Sequence, residues 1–119
     1  MAHKIDIPTH SDPRGKLTVM DKLLPFDVKR VFFIYDVTDE RGGHRHHECQ
    51  MAMVALHGKV SVFCDNGKKK ESFTLSSPSE ALIVPPEDWH TMSFDPGAVL
   101  AVFASHHYDK ADYIFEGYR

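Results

Sequence analysis

The chain has 119 residues, 42% hydrophobic and 26% charged, with a formal net charge of −3. That is enough for one domain with a sizeable core, spanning residues 1–119, and the balance is that of a soluble globular protein. No basic block argues for nucleic-acid binding, no apolar run approaches the ~20 residues that span a bilayer, and Met1–Pro8 lacks the apolar stretch of a signal peptide, so the expected location is cytoplasmic.

Taken in chain order, a weak strand is predicted over Lys4–Ile7, followed by the turn Asp12-Pro13-Arg14-Gly15 and a strand over Leu17–Met20. Arg30–Val37 reads as the next strand. Gln50–Leu56 is almost continuously apolar and predicts a strand covered on both faces, by a second sheet or by a partner subunit. Lys59–Cys64 alternates, with Val60, Val62 and Cys64 on the buried side. Asn66-Gly67 suits a tight turn into a strand over Glu71–Leu75, and Lys68-Lys69-Lys70 is then a solvated hairpin end. Ser76-Ser77-Pro78, Pro85-Pro86 and Asp95-Pro96-Gly97 separate strands over Ala81–Val84, Thr91–Phe94 and Val99–Ala104, the last again apolar throughout. The tail, Asp109–Tyr118, is the one segment expected to form a short helix. Many short strands divided by turn signals predict an all-β, double-sheet jelly roll with room for a ligand at an open end. Cys49 and Cys64 lie in strand-like runs outside any Cys-x-x-Cys pair and are expected to be buried thiols.

The chemistry concentrates in Arg41-Gly42-Gly43-His44-Arg45-His46-His47 and in the later Trp89-His90. On a strand, side chains two apart share a face, so His44 and His46 project together, roughly 6.5–7 Å apart along the chain. Two chemistries fit. In one, His44, His46 and His90 supply imidazoles to a divalent metal. The spacing resembles the two-part cupin signature, but the residue four after His46, a Glu in that signature, is the neutral Gln50 here, which speaks against a metal. In the other, a neutral imidazole takes a proton from carbon beside a carbonyl and returns it to the next carbon, while Arg14, Arg30 or Arg41 stabilises the enediolate or pairs with phosphates. His3, His10, His57, His106 and His107 read as surface residues, His47 as facing away from the pair. Trp89 taken alone reads as core.

With these motifs in place the chain resembles the nucleotide-sugar 3,4-ketoisomerases, cupin enzymes acting on dTDP-4-keto-6-deoxyglucose. The resemblance is carried by Asp12-Pro13-Arg14-Gly15, Pro25-Phe26-Asp27-Val28-Lys29-Arg30-Val31, Arg41-Gly42-Gly43-His44-Arg45-His46, Leu56-His57-Gly58, Trp89-His90-Thr91-Met92, Ala104-Ser105, Tyr108-Asp109 and Asp112-Tyr113-Ile114, in that order along nearly the whole chain. It implies a cupin jelly roll (double-stranded β-helix), a homodimer that exchanges N-terminal strands, and catalysis without metal or other cofactor. By the same resemblance His44 is the base, His46 assists with protons, and Arg14, Arg30, Phe32, Arg41, Trp89 and His90 belong to the substrate site. Arg14 and His90 are similar to the branch whose product is a 3-keto-6-deoxy-galacto sugar, a step toward deoxyamino sugars of lipopolysaccharides and glycans. Two departures stand out: Phe32-Phe33 replaces a Tyr-Tyr pair of many relatives, and Arg45 replaces a small residue between the histidines. A metal-dependent dioxygenase or isomerase, and a non-catalytic sugar-nucleotide binder, are the alternatives.

Overall fold

A computed structural model describes residues 1–119. Twelve strands form it: β1 (His3–Asp6), β2 (Thr9–Asp12), β3 (Gly15–Thr18), β4 (Arg30–Ile34), β5 (Arg41–His46), β6 (Met51–His57), β7 (Val60–Asp65), β8 (Lys70–Leu75), β9 (Glu80–Val84), β10 (Trp89–Phe94), β11 (Val99–Ala104) and β12 (Tyr113–Ile114). Two five-stranded sheets face one another, in the orders β1-β9-β6-β11-β4 and β12-β5-β10-β7-β8, and every pairing is antiparallel. This is the all-β double-sheet jelly roll that the strand pattern predicted, and the cupin architecture that the resemblance implied. No helix is long and apolar enough to cross a membrane.

Alternation builds the core. Val60, Val62 and Cys64 of β7 point inward and meet Met53, Leu82, Leu100 and Val102 of the other sheet, all essentially without solvent contact. The apolar runs of β6 and β11 occupy adjacent central positions of the first sheet. Their outward side chains have cover of their own: Val54 packs with Ile7 and Ala81 beneath Ile5, Met20, Leu23 and Phe103. The second face of β6 is therefore roofed by the N-terminal segment of the same chain, which explains a run that does not alternate.

Several boundaries differ from the sequence pattern, each for a local reason. β5 is a full strand although it carries no apolar residue, because its inward positions are held by His44 and His46 and so escape any hydrophobic periodicity. β10 starts at Trp89, two residues before the apolar pattern does, so His90 lies on the strand itself. β4 stops at Ile34, and the chain turns at Asp36 in the left-handed region (φ 53°), which Asp tolerates better than most residues. Asn66-Gly67 opens a four-residue turn, Asn66–Lys69, whose amides at Lys68 and Lys69 donate to Asn66 Oδ1 at 2.9 and 2.8 Å. The tail is not a helix. It makes one 3-10 turn, Lys110–Asp112, and then adds Tyr113 and Ile114 as an edge strand beside β5.

β2 and β3 form a hairpin that pairs with neither main sheet, polar on both faces apart from Leu17. It accompanies an elongated outline, 50 × 31 × 25 Å. Leu17, Val28, Val31, Phe33 and Tyr35 remain 43–63% exposed on the hairpin and around β4.

Candidate active site

β5 and β10 run antiparallel with His44 opposite His90, and a bulge follows between His90 and Thr91. Close approach there depends on Gly42. Its φ is +91°, and a Cβ on it would sit 2.8 Å from the His90 carbonyl oxygen, so any other residue would push the strands apart. His46, two residues on, shares the face of His44 and stands opposite Tyr113 of β12.

The rings gather tightly. His44 lies 5.0 Å from His46, 4.8 Å from His90 and 4.7 Å from Tyr113, centroid to centroid. Tyr113 also stands edge-on to His46 at 4.6 Å, and Phe115 reaches His44 at 6.2 Å. The sequence-predicted His44, His46 and His90 thus form one cluster, although His90 lies on a different strand.

Each ring has its own anchoring. His90, 1% exposed, sets Nδ1 3.1 Å from the Asp88 backbone carbonyl. His46, 4% exposed, sets Nδ1 3.1 Å from Asp112 Oδ2, while its Nε2 is buried without a hydrogen-bond partner. Burial, then the proximity of His46, pushes the His44 pKa down to about 4. Burial, then His44, pushes His90 down to about 3. Burial also lowers His46; Asp112 opposes this shift and Arg30 adds to it. For Asp112, burial alone would raise the pKa, but N–H bonds from Glu48 and Cys49 together with His46 outweigh it and hold the carboxyl below its ordinary range. Near neutral pH the cluster therefore holds neutral imidazoles beside an anionic Asp112.

Arg30, on β4 of the other sheet, places its guanidinium 5.2 Å over Phe32 and 5.8 Å over Tyr108, with its buried Nε unpartnered. Phe32 packs against the main core from the same face of β4. Arg41 is exposed at the start of β5, opposite Met92. Two candidates lie away from the cluster. Arg14 is at the tip of the β2–β3 hairpin, 90% exposed at its side chain and paired to Asp12 at 2.7 Å. Trp89 points to the opposite side of β10 from His90, where its Nε1–H donates to the Phe115 carbonyl at 3.2 Å and the indole packs on Gly117 and Phe63.

Arg45 likewise faces away from the histidines. It donates to the Glu116 carbonyl (3.2 Å) and the Tyr118 hydroxyl (3.3 Å), and its guanidinium sits 4.4 Å over the Tyr118 ring. Tyr118 in turn donates to the Glu87 carbonyl at 2.7 Å. Arg45 and Trp89 together strap residues 115–118 onto the outer side of the sheet, next in the chain to Asp112 and Tyr113, which with Phe115 lie beside His44 and His46.

Asp112 and Tyr113 are the site residues that sequence reasoning missed. A tail expected to coil into a helix hides them. The alternation of Tyr113 with Phe115 was the available signal, since residues two apart share a face only on a strand. His106, expected as a bystander, bonds Ser105 Oγ at 2.7 Å and lines a surface cleft of about 390 Å³ with Lys29, Glu48, His107, Tyr108, Asp109 and Asp112. His46, Cys49 and Asp112 offer ligand atoms within 4.8 Å of one another, and Asp112 already accepts from Glu48 N–H (2.8 Å) and Cys49 N–H (3.2 Å) and contacts His46 Nδ1 (3.1 Å).

Residues 2–118 match the family described as FdtA: WxcM-like, C-terminal. The TDP-4-oxo-6-deoxy-alpha-D-glucose-3,4-oxoisomerase of Aneurinibacillus thermoaerophilus is 40% identical over 108 residues, covering 87% of this chain and 78% of that one. A 3,4-ketoisomerase from Helicobacter canadensis superposes with a TM-score of 0.92 at 29% identity, over 97% of this chain and 90% of the other. A His-to-Asn mutant of the 3,4-ketoisomerase QdtA from Thermoanaerobacterium thermosaccharolyticum, in complex with TDP-4-keto-6-deoxyglucose, superposes with a TM-score of 0.92 at 32% identity, over 97% and 87%.

Proposed function

The chain belongs to the FdtA family, and we propose that it is the nucleotide-sugar 3,4-ketoisomerase that carries the keto group of dTDP-4-keto-6-deoxy-D-glucose from C4 to C3, giving a dTDP-3-keto-6-deoxyhexose of galacto configuration for deoxyamino-sugar synthesis. The observation that carries this reading is the crowding of His44 against His90, His46 and Tyr113 in one cluster.

His44 takes the proton from C3, and the C–H electrons become the C3=C4 bond of an enediolate with charge on O4. The same imidazole returns that proton to C4, one carbon away. The O3–H bond breaks as the C3 carbonyl forms, so a proton must leave O3 while O4 gains one; His46, bearing an unpartnered Nε2, is placed for that second transfer. A low basicity of His44 suits the task, because the anionic substrate raises it on binding. Arg30, with Phe32 beneath its guanidinium, borders the substrate's anionic portion. His90 and Arg41 complete the sugar subsite, and Trp89 serves it through the tail that it anchors.

A homodimer fits the exposed apolar side chains around β4 and a hairpin without a sheet partner in its own chain. Exchange of that hairpin would bring Arg14 of one subunit to the histidines of the other. A nucleotide-linked substrate places the reaction in the cytoplasm.

NMR with dTDP-4-keto-6-deoxyglucose in deuterated water tests the reading. Migration of the carbonyl with solvent exchange at C3 or C4 is expected, unaffected by chelators. Tight dTDP-sugar binding without migration would make the chain a binding protein, and activity lost on chelation would make it a metal-dependent cupin.

A further inference from the structure

We propose that Asp112 is a positioning residue for this reaction: its carboxylate keeps the single ring proton of neutral His46 on Nδ1, leaving Nε2 as a bare base at the sugar hydroxyls. The inference rests on the ketoisomerase reading for its chemistry but on geometry for the proton.

The carboxylate of Asp112 meets only donors. Glu48 N–H bonds Oδ1 at 2.8 Å and Cys49 N–H bonds Oδ2 at 3.2 Å. These two bonds help hold Asp112 ionised, and an ionised carboxylate accepts but has no proton to donate. The contact of Oδ2 with His46 Nδ1, at 3.1 Å, must then run from Nδ1–H to oxygen. A neutral imidazole has one N–H, and Nε2 is therefore unprotonated. That atom is buried with no protein partner, on a ring flanked by His44 and Tyr113. A buried lone pair left open is costly unless a ligand group fills it. A substrate hydroxyl is such a group. In the reaction Nε2 accepts the proton of O3–H as the C3 carbonyl forms and delivers it to O4; Asp112 stabilises the transient imidazolium and exchanges no atom.

The placement of Asp112 is itself supported. It ends the 3-10 turn, its own amide donates to the Asp109 carbonyl at 3.0 Å, and its carbonyl accepts from His47 N–H at 3.0 Å. The carboxylate is thus fixed between two segments, β5 with its following loop and the tail.

Asp112→Asn is the discriminating variant because it keeps the shape. The orientation that preserves the shorter Glu48 bond presents an NH2 to His46 Nδ1 and drives the ring proton to Nε2. The test pairs ring-nitrogen NMR of 15N-histidine-labelled protein with kinetics and TDP titration. Expected are a His46 proton on Nδ1 in the native protein, its transfer to Nε2 in the variant, a kcat lower by about 10²-fold or more, and KM and TDP affinity within a few-fold. A native His46 protonated on Nε2 overturns the proposal, as does a variant with the shifted proton and near-native kcat. If the variant does not fold, the native ring spectrum alone decides. If the native protein binds TDP but moves no carbonyl, the ketoisomerase reading fails while the spectrum still decides the position of the proton.

Discussion

His90 stands directly across from His44, a cross-strand partner on β10 with its ring 4.8 Å away. Burial, then the neighbouring His46, holds His44 down to about 4, and burial, then His44, holds His90 down to about 3. The cluster thus holds neutral imidazoles near neutral pH, and an anionic substrate would raise their basicity on binding.

Replacing His44 by Asn removes the base and keeps a hydrogen-bonding group of similar size. Turnover is expected to fall by about 10²–10⁴-fold, the usual contribution of a general base. TDP binding, measured by calorimetry, should stay within a few-fold because Asn keeps a hydrogen-bonding side chain of similar size at this position. Isomerisation persisting within a few-fold of native would remove His44 from the base role.

The depressed histidines also set an acid limit on stability. Their folded pKa values lie below the ordinary value of 6.5, so below pH 6.5 the unfolded chain binds more protons than the folded one. Stability from these groups is full above pH 6.5 and drains away as pH falls through about 4 for His44 and about 3 for His90. Tm followed from pH 8 to pH 4 is expected to fall more steeply for the native protein than for His90→Asn, whatever the variant's starting Tm. Equal slopes would show that His90 is not buried in its neutral form.

The sheets were legible in the chain because their inner faces alternate, as Val60, Val62 and Cys64 do, and their bounds are set by Pro, Gly and Asp turns. The His44–His46 pair was legible for the same geometric reason. Asp112 and Tyr113 were not, since a two-residue edge strand has too few positions to display a period and owes its place to β5. Trp89, which taken alone reads as core and by resemblance joins the substrate site, faces the opposite side of β10 from His90, as neighbouring residues on a strand do. Its indole N–H holds the tail instead.

That strap has consequences at a distance. Arg45→Ala removes bonds to Glu116 and Tyr118 and a cation–π contact at 4.4 Å. From typical values for such contacts, the docking of the tail should weaken by about 1–2 kcal/mol. Amide exchange over residues 113–118 is expected to speed up, and kcat to drop several-fold as Tyr113 and Asp112 lose their fixed positions, with global Tm changed little. Unchanged exchange in the tail would show that Arg45 does not hold it.

Arg14 offers the sharpest test of the dimer. Its guanidinium pairs only with Asp12 of the same turn, and its neighbours at the hairpin tip are His10, Lys16 and Leu17. If the hairpin crosses to a second subunit, each working site combines His44 of one chain with Arg14 of the other. Arg14→Ala and His44→Asn should then be inactive separately. Co-refolded in equal amounts, they form hybrid dimers in which one site regains both residues, and random assortment restores about a quarter of native activity. If Arg14 served its own chain, no mixture would regain any, because every site would still lack one of the two residues. Size-exclusion light scattering on Phe33→Glu, which places a charge on the 59%-exposed face of β4, should report monomers with no activity. A fully active monomer would detach Arg14 from the site altogether.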